Sequence, residues 1–135
     1  IAPKLAVVMI GTNNTGARRD PPEETAAGIQ AILSTLRTGL PDTKILLLDV
    51  FPRGASSDAP LRRVNVAINA LIRSYADNQR VFFLDLSSVF LDDQERLSPH
   101  LMPDYLHLNE RGYQVWAEGM EIMLTRLLGE YQQKD

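Results

Sequence analysis

Three short apolar runs set the limits on what this chain can fold into. They are Leu5–Ile10 (LAVVMI), Ile45–Val50 (ILLLDV) and Val81–Leu86 (VFFLDL). None alternates polar and apolar residues with a period of two, as half-solvated antiparallel strands do. Each is near-continuous, the pattern of parallel strands covered on both faces. Parallel neighbours need crossover connections, so helices must lie between them.

The intervening sequence supplies those helices. "DPPEE" starts the first, with Asp20 placed to cap, Pro21 suited to the first helical position and Glu23 completing a capping-box pattern. Ile29, Ile32, Leu33 and Leu36 then share one face, and Gly39 with Pro41 stops the helix. A second helix is expected over Leu61–Ala76, with Val64, Ile68, Leu71, Ile72 and Tyr75 aligned. The last is expected over Asn109–Tyr131, where Tyr113, Trp116, Met120, Met123, Leu124 and Leu127 fall on one face. The order β-α-β-α-β-loop-α predicts a doubly wound α/β sheet with right-handed crossovers and sites at the C-terminal ends of the strands. Ser87–Leu108 has little regular pattern, and irregular segments of that length inside a compact domain are usually functional. With no repeat, low-complexity tract or linker, residues 1–135 read as a single α/β domain.

Composition removes several classes of function. A net charge of −3 gives no basic footprint for nucleic acid. The longest apolar runs are far too short to span a bilayer. The chain has no cysteine, hence no disulfide framework, thiolate nucleophile or Cys-based metal site, and this leaves the compartment open. No metal-ligand cluster and no phosphate loop is found, so no cofactor is expected. "DDQE" at Asp92–Glu95 reads as a solvated acidic loop.

The first run poses a problem. Leu5–Ile10 is apolar on both faces, as a central strand is and an exposed edge strand is not. Something should pair with it, and no fourth strand is left in the sequence. The opening "IAPKLAVV" has neither an initiator Met nor the layout of a signal peptide, and a core strand begins almost at once. Either a segment was removed upstream or the chain is a fragment.

Two stretches could carry chemistry. Gly11–Asn14 (GTNN) follows the first strand at the rim where ligands bind. An Asn side chain there can donate to a developing oxyanion, and it can equally form an Asx-type turn with its own backbone. Asp104 and His107 lie in "MPDYLHLNERGY", just before the last helix. A carboxylate can accept the Nδ1–H of the histidine and leave Nε2 free as a general base. The same polar groups could instead cap the helix that starts near Asn109. His100, in "LSPHLMP", has no acidic residue at a helpful spacing. Trp116 and the methionines, at helical spacing, read as core.

Taken together, these stretches resemble the SGNH (GDSL-type) hydrolase superfamily. GTNN is similar to the branch of the platelet-activating-factor acetylhydrolase catalytic subunits. "DPPEETAAGIQAIL", "LLLDVFPRG", "NVAINALI", "VFFLDL" and "MPDYLHLNERGYQVWAE" extend the resemblance over nearly the whole chain. It implies a flavodoxin-like, three-layer doubly wound parallel sheet, the SGNH hydrolase fold, lacking its N-terminal strands here. It also implies a serine esterase acting on acetyl or short acyl esters of lipid or carbohydrate. In that family pattern Asn13 is the oxyanion-hole side chain, Asp104 the orienting acid and His107 the base. Leu106 would line the acyl pocket. Arg53 and Gly54 would border the site, Arg53 being as suited to a surface ion pair.

The sequence departs from the family at one decisive point. The Gly-Asp-Ser block with the nucleophile, and the block with a glycine donor, are both absent. The serines present are Ser34, Ser56, Ser57, Ser74, Ser87, Ser88 and Ser98. Ser87 and Ser88, at the rim after the third strand, are the least unsuitable, yet none is expected to be the nucleophile. In a sheet of order 2-1-3-4-5 the missing strand would lie against Leu5–Ile10. Two functions follow: the C-terminal part of an esterase whose serine lies outside this chain, or a non-catalytic module. The module would associate through its open edge with a second copy or with the missing N-terminal segment.

Overall fold

The computed structural model describes residues 1–129. Three parallel strands, β1 (Leu5–Val8), β2 (Lys44–Leu48) and β3 (Val81–Leu84), form a sheet in the order β1-β2-β3. Leu5 pairs with Lys44, and Ile45 with Val81. Helices α1 (Pro22–Gly39) and α2 (Pro60–Ile72) connect the strands, and α3 (Ser87–Phe90) and α4 (Glu110–Leu128) follow β3. The alternating side chains of β2 divide the core in two. Ile45 and Leu47 pack with Ile29, Leu33, Ile68 and Ile72 of α1 and α2. Leu46 and Leu48 pack with Phe90, Leu127 and the apolar side of α4. Helices therefore cover both faces, which makes the three layers of a doubly wound α/β fold. Leu46 and Leu47 are 0% exposed, and full burial of such a side chain contributes about 1.5–3 kcal/mol.

Each apolar run outlasts its strand by two residues. The strands stop at Val8, Leu48 and Leu84, not at Ile10, Val50 and Leu86. Val50 and Leu86 remain buried beyond the ladder, so the apolar pattern records burial and not backbone pairing. β1 lies at the edge of this sheet, with Val7 43% and Ile10 46% exposed. The strand that reads as interior thus has one covered side and one bare one.

The helix boundaries bring further corrections. Asp20 does not cap α1. Its carboxylate accepts from Asn14 Nδ2 and Arg18 Nε, both at 2.9 Å, and so is turned away from the helix. Pro21 stands at the cap position, no side chain caps the helix, and α1 begins at Pro22. The second helix is α-helical only to Ile72, and Arg73–Tyr75 tightens into a 3₁₀ turn. Ser87–Leu108 is less irregular than its sequence suggests, since it holds α3 and an antiparallel bridge between Leu91 and Leu97. The expected end of the last helix at Tyr131 lies outside the described residues. Among the described residues, no helix is long and apolar enough to cross a membrane.

Candidate active site

Strand β1 delivers the first functional stretch. After Ile10 the chain turns at Gly11, whose φ of 130° favours glycine. A Cβ there would also come within 3.2 Å of Thr25 and 3.3 Å of Val50. The amides of Asn14 and Thr15 both donate to the Gly11 carbonyl, at 3.1 and 3.3 Å, and start one wide π-helical turn, Asn14–Arg18. Two buried side chains lock it, with Thr15 Oγ1 donating to Asn65 Oδ1 at 2.7 Å. Asn65 Nδ2 in turn donates to the Phe51 carbonyl at 2.9 Å. The turn is closed by its backbone, so the Asx alternative for Asn13 is not what forms. Asn14 is spent on Asp20, whereas the exposed Asn13 side chain has no hydrogen-bond partner among the described residues.

The second stretch precedes α4. His107 Nδ1 lies 2.6 Å from Asp104 Oδ2. Asp104 Oδ1 accepts the amides of His107 at 2.7 Å and Leu106 at 3.0 Å. These bonds, that from the His107 ring foremost, hold the Asp104 carboxyl down at about 2. It is therefore an ionised acceptor near neutral pH, and Nδ1 must be the donor. In the neutral imidazole that arrangement puts the lone pair on Nε2, which has no protein partner among the described residues. Capping of α4 is done by Asn109, whose Oδ1 accepts from Gly112 N at 2.9 Å. Asp104 is thus left for the histidine. His100 contributes its carbonyl to Asn109 Nδ2 and nothing to this pair.

Both stretches meet at the C-terminal rim. Asn13, Leu106 and His107 line one cavity of about 270 Å³. Its floor and walls include Met9, Phe51 and Trp116. The sequence reading placed Trp116 in the core. It packs there, edge-on to Phe51 with ring centroids 5.0 Å apart, and also forms part of the cavity wall. Phe51 and Pro52 were not singled out from sequence. Their signal is position alone, directly after the apolar run Ile45–Val50, where the rim rule places ligand-facing residues.

Among the described residues Arg53 forms no surface ion pair. Its Nη1 donates to the Thr12 carbonyl at 2.8 Å and to Thr12 Oγ1 at 3.1 Å. Ser87 sits elsewhere, on a larger cavity beside α2, with its hydroxyl donating to Asp49 Oδ2 at 2.5 Å. No serine lines the cavity that holds His107.

A histidine held by a carboxylate, on one cavity with an unbonded amide, could serve acyl transfer if a nucleophile were brought to it. The sequence profile of the GDSL-like lipase/acylhydrolase family matches residues 1–115. The chain belongs to that family. It is 37% identical over 133 residues to the platelet-activating factor acetylhydrolase IB subunit alpha1 of Pongo abelii, covering 98% of this chain and 56% of that protein. To the alpha2 subunit of Rattus norvegicus it is 36% identical over 131 residues. The chain thus spans about 56% of the length of these curated relatives.

Solved structures agree on the fold. An acetylxylan esterase from Geobacillus stearothermophilus superposes with a TM-score of 0.70 at 19% identity, over 95% of this chain and 60% of that one. A carbohydrate esterase family 3 structure from Talaromyces cellulolyticus gives 0.66 at 22%, over 95% and 60%. The three-stranded parallel sheet with helices on both faces is that of the SGNH acylhydrolases.

Proposed function

We propose that this family member supplies the base, its orienting acid and one oxyanion donor of a serine esterase. The nucleophilic serine lies outside residues 1–135. The observation that carries the reading is the 2.6 Å contact between His107 and Asp104, with His107 and Asn13 on one cavity. A serine hydroxyl brought to Nε2 loses its proton to His107 as its oxygen attacks the ester carbonyl. The Asn13 amide donates to the oxygen that becomes negative, alongside backbone N–H groups. His107 then returns the proton to the departing alcohol, and water repeats the sequence on the acyl-enzyme. Asp104 stays ionised throughout and holds the imidazole.

The substrate is an ester with an acetyl or short acyl group, carried on lipid or carbohydrate. The cavity of about 270 Å³, lined by Leu106 and Trp116, has room for a small acyl group. An acetyl group also stands in the names of the two curated relatives and of the Geobacillus esterase. The test is His107→Ala in the protein that holds this chain together with its serine. Ester hydrolysis should fall by roughly three or more orders of magnitude. Near wild-type turnover overturns the assignment.

The exposed Val7 at the edge of the sheet favours a second reading for residues 1–135 taken alone. By themselves they form a non-catalytic unit that associates across β1, with a second copy or with the segment that completes the sheet.

A further inference from the structure

We infer that Arg53 is a positioning residue that fixes the oxyanion amide relative to the histidine. The inference rests on the esterase reading above. The loop Pro52–Gly54, between β2 and α2, touches both halves of the site. On one side, the Arg53 guanidinium bonds the carbonyl and the hydroxyl of Thr12, the residue before Asn13. It lies over Gly16 so closely that a Cβ there would come within 2.6 Å of Nη1. On the other side, the Gly54 amide donates to the Tyr105 carbonyl at 2.9 Å, inside the Asp104–His107 loop.

The loop itself is held firmly. Gly54 has φ of 77°, and a Cβ there would meet Ala59 at 2.6 Å. Buried Arg62 donates to the carbonyls of Arg53, Gly54 and Glu95. One strut therefore spans the gap between two loops that come from distant parts of the chain. The Asn13 side chain has no hydrogen-bond partner among the described residues, so its position follows the backbone around it, which Arg53 holds at Thr12 and the Thr15–Asn65 bond holds on the other side. An amide placed for the transition state, and not for the bound ester, affects kcat more than KM. A misplacement of about 1 Å costs on the order of 100-fold in rate.

The experiment measures ester hydrolysis by the complete protein. Arg53→Ala is expected to lower kcat about 10- to 100-fold with KM nearly unchanged. Added guanidinium ion should restore part of the loss by occupying the vacated space. Arg53→Met keeps the packing of the stem, and should show the same loss in kcat without rescue. His107→Ala, measured alongside, separates the two claims. If it abolishes turnover while Arg53→Ala and Arg53→Met leave kcat unchanged, the strut is wrong and the esterase reading stands. Loss of kcat in Arg53→Ala that guanidinium cannot restore, or a loss seen only as raised KM, also overturns the strut. Should His107→Ala retain activity, the esterase reading itself fails.

Discussion

Replacing Asp49 by Asn tests how the rim after β3 is held. Asp49 is 0% exposed and accepts the Leu86 amide at 2.8 Å and the Ser87 hydroxyl at 2.5 Å. Burial pushes its carboxyl from 3.8 up to about 6, against the opposing pull of those two bonds. Between these values the folded state keeps a proton that the unfolded chain has released. The contribution of Asp49 to stability is therefore fully present below about 3.8, falls as pH rises through the window, and is lost above about 6. At about 1.36 kcal/mol per pKa unit, a shift of roughly 2 units corresponds to about 3 kcal/mol. Asn keeps the shape and both partners, with Oδ1 accepting from Leu86 and Nδ2 donating to Ser87, but it has no proton to lose. Urea unfolding at a series of pH values measures the difference. Relative to the parent, Asp49→Asn should gain roughly 2.4 kcal/mol on going from about pH 4 to pH 7. Parallel pH curves for the two proteins would refute the reasoning, and with it the structural role given to Ser87.

Two further outcomes follow from the site and the sheet. Asp104→Asn should lower kcat by about 10⁴ while leaving the fold intact. Its Oδ1 is needed by the amides of Leu106 and His107, which turns Nδ2 toward His107 and forces the proton onto Nε2. Nitrogen chemical shifts of the His107 ring report that tautomer change, and unaltered shifts would contradict it. The 135-residue chain should self-associate across β1, as followed by sedimentation velocity, and Val7→Lys on the bare edge should abolish this. A dilute monomer before the substitution would count against an adhesive edge.

Much of the fold was legible because it depends on apolar burial. Continuous runs at Leu5, Ile45 and Val81 announced parallel strands, and helical spacing in between announced the crossovers. The boundaries were less legible because they depend on single hydrogen bonds. Asp20 looks like a cap in sequence, but Asn14 and Arg18 compete for it. Val50 and Leu86 look like strand residues because the core extends past the ladder. The site shows the same division. Asp104 and His107 are three residues apart, so one loop could be read as a pair. Asn13 could be matched to them only through the rule that rim loops converge and through the family resemblance. Arg53 was noticed for its position, but its bond to Thr12 spans 41 residues of sequence and leaves no local pattern. The cavity wall of Phe51 and Trp116 was hidden for a similar reason, since apolar residues that face a ligand look like any others in the core.

The central claim is that Asn13, Asp104 and His107 serve a serine from outside residues 1–135. An active-serine phosphonate probe, applied to the protein that contains this chain, tests it most directly when the labelled peptide is identified by mass spectrometry. The label should fall on a serine outside residues 1–135, vanish in His107→Ala, and fail to appear on the 135-residue chain alone. Stoichiometric label on Ser87, or on any other serine within these residues, would contradict the account.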